Sequence, residues 1–336
     1  MGPRSVRGGG YLTYPSPPFA MTTALPGAVN WYLPHVIDRS GQYCCYGSNS
    51  NVVVWDVEKR NLVALLPGHT QRVTAVCCTT SNNASLMVVT GSQDTHVRLW
   101  KGDLSPSSLQ CTHILKSHSA EVVGVHIWQG EPAFTVLCSV DASGCIFMTV
   151  IIEGSSSNEE SNTDTGTGTD TFVSPPFTPY RGICSSWHIQ VISDERWDIM
   201  LGYQDGTLLH CHVDHVLQGN PTIQIDWKNQ VHQAPVIGWA ICQGLLAAVS
   251  RDGILSLTEK VTGQRLGGNA WSRLPGAGEP KQRSSSHKYK SHHANSSRQW
   301  YSLSALSEQV LLCSDAMGQV YIADMNRVRE QGLQWK

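Results

Sequence analysis

The stretch from Pro67 to Trp100, PGHTQRVTAVCCTTSNNASLMVVTGSQDTHVRLW, constrains this chain more than any other. Gly68-His69 opens it, Val73-Thr74-Ala75-Val76 and Leu86–Thr90 read as strands, and Ser92-Gln93-Asp94 turns the chain into Val97-Arg98-Leu99-Trp100. That order of turns and strands is one blade of a β-propeller. An Asp held in the tight turn (Asp94) is placed to bind the imidazole of His69. A strand hydroxyl (Thr90 or Ser92) and the indole N–H of Trp100 complete a structural blade network in which few buried polar groups go unpaired. One blade cannot bury both of its faces, so the stretch demands neighbours.

The neighbours are present. The turn and its following strand recur as Val140-Asp141-Ala142-Ser143-Gly144, Tyr203-Gln204-Asp205-Gly206-Thr207, Ser250-Arg251-Asp252-Gly253-Ile254 and Ser314-Asp315-Ala316-Met317-Gly318, and an earlier copy ends in Trp55-Asp56. Successive Asp residues from Asp94 to Asp315 stand 47, 64, 47 and 63 residues apart. The two long intervals contain insertions, 153–171 and 271–298, and without them each interval returns to the 40–50 residues, roughly, of a propeller blade. The expected fold is all-β, a WD40-type propeller. About six blades are visible, so the expectation is a seven-bladed ring truncated or incomplete at its C-terminus. A β-sandwich would not repeat Gly-His, Asp turn and Trp in phase. The expected division is a disordered Gly- and Pro-rich leader over 1–29 and one propeller over 30–332.

The 336 residues carry a net charge of −2, which gives no global attraction to nucleic acid or membranes. No apolar run reaches the roughly 18 residues of a membrane span. The eleven Cys include two adjacent pairs, Cys44-Cys45 and Cys77-Cys78, but no CxxC. Adjacent strand residues face opposite ways, so these are expected to be reduced, buried thiols rather than metal ligands. His210-Cys211-His212 puts two His on one strand face, and the expectation is still no metal. No GxSxG elbow, phosphate loop or HExxH is present, so the expectation is a binding module and not an enzyme.

Three features suit binding. Asn30-Trp31-Tyr32 places two large aromatics just before the first blade, where the alternative is that one merely plugs the rim. Residues 153–171 are acidic and lack any basic or aromatic residue, the composition of a solvated loop. Residues 279–298 are the reverse: Lys281, Arg283, Lys288, Lys290 and Arg298 stand with Tyr289 and lead into Trp300-Tyr301. A basic segment beside aromatics is suited to a phosphate backbone.

Asn30-Trp31-Tyr32, Gly68-His69-Thr70-Gln71-Arg72-Val73, Gly202-Tyr203-Gln204-Asp205-Gly206 and Arg298-Gln299-Trp300-Tyr301-Ser302-Leu303 together resemble the N-terminal propeller of the gem-associated protein 5 family, the RNA-reading subunits of the survival-of-motor-neuron complex. The resemblance spans roughly residues 26–330. It implies recognition of small nuclear RNA, through its Sm site and methylguanosine cap, for spliceosomal ribonucleoprotein assembly. Carried over, Trp31 and Tyr32 stack on bases, and Trp300 is a third RNA-binding residue. The implied partners are small nuclear RNA and protein subunits of that complex, in cytoplasm and nucleus, with no cofactor, membrane or small-molecule substrate. Stacking on aromatic faces supplies about 1–3 kcal/mol per base. The alternative is a WD40 scaffold that binds proteins without RNA.

Overall fold

The computed structural model describes Leu33 and residues 35–80, 85–103, 108–130, 134–153, 169–216, 221–251, 253–266, 272–273, 300–307, 309–315, 320–325 and 334–335. The described elements form six four-stranded antiparallel sheets, each a simple meander. The first sheet holds β1 (Ile37–Ser40), β2 (Tyr43–Ser48), β3 (Asn51–Asp56) and β4 (Asn61–Leu66), and the second β5 (Val73–Thr80), β6 (Ser85–Ser92), β7 (Val97–Asp103) and β8 (Gln110–Leu115). The third holds β9 (Val122–Gln129), β10 (Phe134–Asp141), β11 (Ile146–Glu153) and β12 (Thr169–Val173), and the fourth β13 (Cys184–Ser193), β14 (Arg196–Tyr203), β15 (Thr207–Asp214) and β16 (Thr222–Gln230). The fifth holds β17 (Val236–Cys242), β18 (Leu245–Ser250), β19 (Ile254–Glu259) and β20 (Ser272–Arg273), and the sixth β21 (Trp300–Ser307), β22 (Val310–Asp315), β23 (Val320–Asp324) and β24 (Gln334–Trp335).

The middle strands show why the sequence folds this way. Leu86, Met87, Val88 and Val89 of β6 are all fully buried. A strand covered on one face would alternate apolar and polar residues; a continuous apolar run needs cover on both faces. Alternation then divides the run between two seams. Leu86 and Val88 pack with Cys45, Val52 and Val54 of the first sheet, while Met87 and Val89 pack with Val125, Ile127 and Leu137 of the third. In the same way β14 sends Ile199 and Leu201 toward the third sheet and Met200 toward the fifth. In β18, Leu246 and Ala248 face the fourth sheet while Ala247 and Val249 face the sixth. The core is therefore a series of apolar clusters, each filling the seam between two consecutive sheets.

The first strand of each sheet is innermost. Consecutive first strands pack side by side from β1 to β21, and they are tied by bonds such as Val76 N–H to the His35 carbonyl (2.8 Å) and Ser185 Oγ to the Val236 carbonyl (2.7 Å). All six line a central void. Sheets arranged radially around such a void are the blades of a β-propeller. Every inner strand starts at the same end of the molecule, called here the loop end. That end also carries the tight turns between second and third strands, one of which places Gly206 at φ +84° against the backbone of His232.

Several boundaries differ from the sequence reading. The acidic insertion is shorter than 153–171, because Glu153 pairs with Thr169 and β12 continues the sheet to Val173. Within 271–298, Ser272 and Arg273 pair with Leu255 and Ile254 as a short fourth strand. The sixth sheet runs past 332, since Trp335 pairs with Ala323. Pairing to an existing strand recruits these polar residues regardless of composition. All eleven cysteines carry thiols rather than disulfides. No helix among the described residues is long and apolar enough to cross a membrane.

Candidate nucleic-acid interface

The loop end is braced by polar networks in the second, third, fourth and fifth sheets. In the second sheet, His69 Nδ1 lies 3.0–3.1 Å from both oxygens of Asp94, and His69 Nε2 lies 2.8 Å from Thr90 Oγ1. The Trp100 indole N–H donates to the same Thr90 oxygen at 3.2 Å. Asp94 further accepts the backbone N–H groups of Thr70 (2.9 Å) and His96 (3.0 Å). Burial alone would raise the Asp94 pKa, yet these N–H donors and His69 together hold its carboxyl below the usual range. Burial outweighs Asp94 at the imidazole and lowers the His69 pKa. A neutral imidazole with its proton on Nδ1 satisfies the chain Trp100→Thr90→His69→Asp94 without an orphan. Ser92 serves elsewhere, donating to the Gln71 carbonyl at 3.2 Å.

Sequence reasoning assigned His69, Asp94 and Trp100 but overlooked the equivalents in other blades. His118 Nδ1 lies 3.1 Å from Asp141 Oδ2 and its Nε2 lies 2.8 Å from Ser139 Oγ, and the Phe147 ring meets the imidazole edge-on without donating a hydrogen bond. Tyr180 replaces the histidine in the next blade, donating its hydroxyl to Asp205 at 2.6 Å. Its ring meets Tyr203 edge-on and carries the Lys228 ammonium 3.8 Å from its centroid. His232 Nε2 lies 2.8 Å from Ser256 Oγ; Asp252, the turn residue of that blade, falls outside the described residues. The missing signal was an offset. His69, His118 and Tyr180 precede their Asp by 25, 23 and 25 residues, whether or not a Gly comes first.

These braced loops carry an uneven charge. Among the residues whose exposure is described, Arg72, Lys116, Arg181 and Arg251 are exposed at the loop end, against Glu121 and Asp205. Glu121 accepts a bond from Gln93 Nε2 (3.2 Å) and Asp205 is taken by Tyr180. At the opposite end exposed Arg39, Lys59, Arg60, Arg196 and Arg265 are matched by Glu58, Asp103, Asp194, Glu195 and Asp324 among the residues whose exposure is described. The flanks of the two insertions follow the same polarity. The basic stretch leaves the fifth sheet at Arg273 and returns at Trp300, both at the loop end, whereas the acidic stretch is anchored at Glu153 and Thr169 on the opposite end.

Trp31 and Tyr32 lie outside the described residues. The chain is described from Leu33 and His35, immediately ahead of β1. Trp300 is the first residue of β21 and pairs with Asp315. His210 and His212 share one strand face, as expected, with Asp226 beside both: His212 Nδ1 bonds it at 2.7 Å, while His210 Nδ1 lies 3.1 Å away without hydrogen-bonding geometry. Among the described residues no group of three or more His, Cys, Asp or Glu side chains is arranged to hold a metal ion.

Comparison with known proteins agrees with the architecture. Residues 60–101 match the model of the WD domain, G-beta repeat. The chain is 34% identical over 83 residues to Component of gems protein 5 of Dictyostelium discoideum, a match covering 23% of this chain and 6% of that protein. It is 31% identical over 81 residues to pre-mRNA-processing factor 19 of Bos taurus, covering 24% of this chain and 15% of that protein. The matches thus span a small part of these relatives. The fold is similar to the crystal structure of Saccharomyces cerevisiae Sqt1, with a TM-score of 0.55 and 13% identity over 92% of this chain and 86% of that one. Radial four-stranded sheets, a His–Asp–hydroxyl brace shared by the second and third sheets, and a matching repeat at 60–101 give the chain an all-β, WD40-type propeller fold.

Proposed function

We propose that the loop end of this propeller binds single-stranded RNA, and that its target is small nuclear RNA on the path to spliceosomal ribonucleoprotein assembly. The observation that carries the reading is the charge polarity. Arg72, Lys116, Arg181 and Arg251 are exposed on the end where the basic stretch is anchored and where Trp300 begins β21. Cations that neutralise phosphates supply sequence-independent affinity, and aromatic faces add stacking. The similarity to Component of gems protein 5 supports the RNA class and a place among the protein subunits of the survival-of-motor-neuron complex. Trp31 and Tyr32 are the stacking pair, with Trp300 a third contact.

A protein-only scaffold is the second reading. It is favoured by Ile183, an apolar side chain 55% exposed on the same end, beside Arg181. Fluorescence titration of the full chain against a uridine-rich oligonucleotide at two salt concentrations separates the two. The RNA reading expects binding that weakens as salt rises. It also expects a loss of at least tenfold in Arg72→Glu/Arg181→Glu and in Trp31→Ala/Tyr32→Ala, with circular dichroism unchanged. A folded wild type that binds no oligonucleotide leaves the scaffold reading.

A further inference from the structure

The inner strands enclose a cavity that RNA binding at the loop end does not use. It has a volume of about 1020 Å³ and is lined by His126, His188, Cys77, Trp128, Trp187 and Gln190, among others. Its lining extends to Thr80 and Gly130 at the far ends of β5 and β9, so it opens away from the loop end. A second void of about 450 Å³ continues toward Ile237 and Leu303 and shares His35, Trp187, His188 and Gln190 with the first. The size suits an organic ligand.

The wall chemistry narrows the class. His35, His126 and His188 come from three different sheets' inner strands and their approaches, and all face this space. Burial holds each imidazole far below its ordinary value of 6.5, to about 4, so each is neutral near pH 7 and offers one N–H donor and one lone pair. His35 Nε2 is buried without a hydrogen-bond partner, an unmet need that a ligand atom would satisfy. His126 Nδ1 has only the Cys77 sulfur at 3.9 Å.

The two charged residues of the wall, Asp38 and Arg39, are adjacent and opposite in sign. Asp38 accepts the backbone N–H groups of Arg39 and Cys78, both at 2.8 Å. Arg39 Nε donates to the Gly41 carbonyl at 2.8 Å, and Lys260, outside the lining, is held by Asp198 and Gln190. With one carboxylate beside one guanidinium, the wall carries no net charge to select a charged ligand. Trp128 adds an apolar aromatic wall.

We propose that this axial cavity binds an uncharged nucleobase-type heterocycle, with the imidazoles of His35, His126 and His188 reading its polar edge and Trp128 bounding its ring. Unstacked bases are read by mixed donors and acceptors on their edges together with aromatic surfaces, and three neutral imidazoles beside an indole provide that combination. The site is independent of the loop end, and its failure would leave the RNA reading standing, because that reading is tested by Arg72, Arg181, Trp31 and Tyr32.

The test uses the full chain labelled with ¹⁵N-histidine and titrated with adenosine, guanosine, uridine and cytidine, each beside its 5′-monophosphate. The expected result is saturable binding of at least one nucleoside, with the shifted imidazole resonances assigned to His35, His126 or His188. The monophosphate should bind no more tightly than its nucleoside, and His188→Leu should weaken binding at least tenfold. The ring resonances are read on the wild type, so a variant that fails to fold does not decide the matter. No saturable shift in those resonances, binding unchanged in folded His188→Leu, or tighter binding of the monophosphates would each overturn the proposal.

Discussion

Lys260 Nζ lies 2.6 Å from Asp198 Oδ2, fastening the turn that follows β19 in the fifth sheet to the second strand of the fourth. Both side chains are largely buried, and the ammonium also donates to Gln190 Oε1 at 2.6 Å. Burial would raise the Asp198 pKa, but the neighbouring His210, 3.6 Å away, and the bond from Lys260 bring it down to about 2. The Trp227 indole N–H reinforces the same turn by donating to the Lys260 carbonyl at 2.8 Å.

Removing one member of this pair should be more damaging than removing both. Lys260→Met leaves a buried carboxylate without its cation and should cost about 3–5 kcal/mol. Lys260→Met/Asp198→Leu should recover part of that loss, because no isolated charge is left. Urea unfolding of the three proteins measures the difference.

The brace of the second blade gives a second prediction. Asp94→Ala strands the His69 Nδ1–H and the Thr70 and His96 N–H groups, and should destabilise the fold by about 2–4 kcal/mol at the cost of a typical buried orphan donor or two. Thr90→Val should act in the same direction more weakly, since it removes a single hydroxyl between His69 and Trp100. Thermal unfolding of each variant against wild type is the measurement.

Gly206 supplies a backbone test. Its φ of +84° is a conformation that side-chain-bearing residues rarely adopt, and a Cβ there would run into the His232 carbonyl. Gly206→Ala should therefore lose about 1–3 kcal/mol or more. Gly41, also at positive φ but with open space around it, should tolerate alanine better. Equal losses at the two positions would mean that backbone strain alone, and not the His232 contact, sets the cost.

Acid should weaken the fold through its central histidines. His35, His126 and His188 have folded values of about 4 against an ordinary 6.5. Between those limits the unfolded chain takes up protons that the folded chain refuses, so stability is fully present above pH 6.5 and is lost as pH falls toward 4. The slope of unfolding free energy against pH in that window should flatten in His188→Gln. An unchanged slope would assign the acid sensitivity to other groups.

Much of the fold was legible because its markers are local. An Asp in a tight turn must gather nearby N–H groups, so Asp94, Asp141 and Asp205 mark their blades without reference to anything distant. The brace partners were harder to find, because a phenol reaching an exposed Asp205 does the work of an imidazole reaching a buried Asp94, and no Gly-His announces Tyr180. Short closing strands such as Ser272–Arg273 were illegible for another reason: pairing, not composition, makes them strands. The charge polarity between the two ends could not be read from a net charge of −2, since it depends on which connections share an end. The axial imidazoles were equally hidden, because His35, His126 and His188 converge only once three sheets are assembled.

The division of the apolar interior into separate seams carries a consequence for how such a chain can change over generations. Each sheet negotiates its packing with the sheets on either side and with nothing further away. A substitution within one seam asks for compensation only there. A tyrosine can therefore stand in for a histidine beside Asp205 while His69 and His118 keep their own arrangements. Novelty at one blade is insulated from the rest, which leaves the loops at either end free to diversify one at a time.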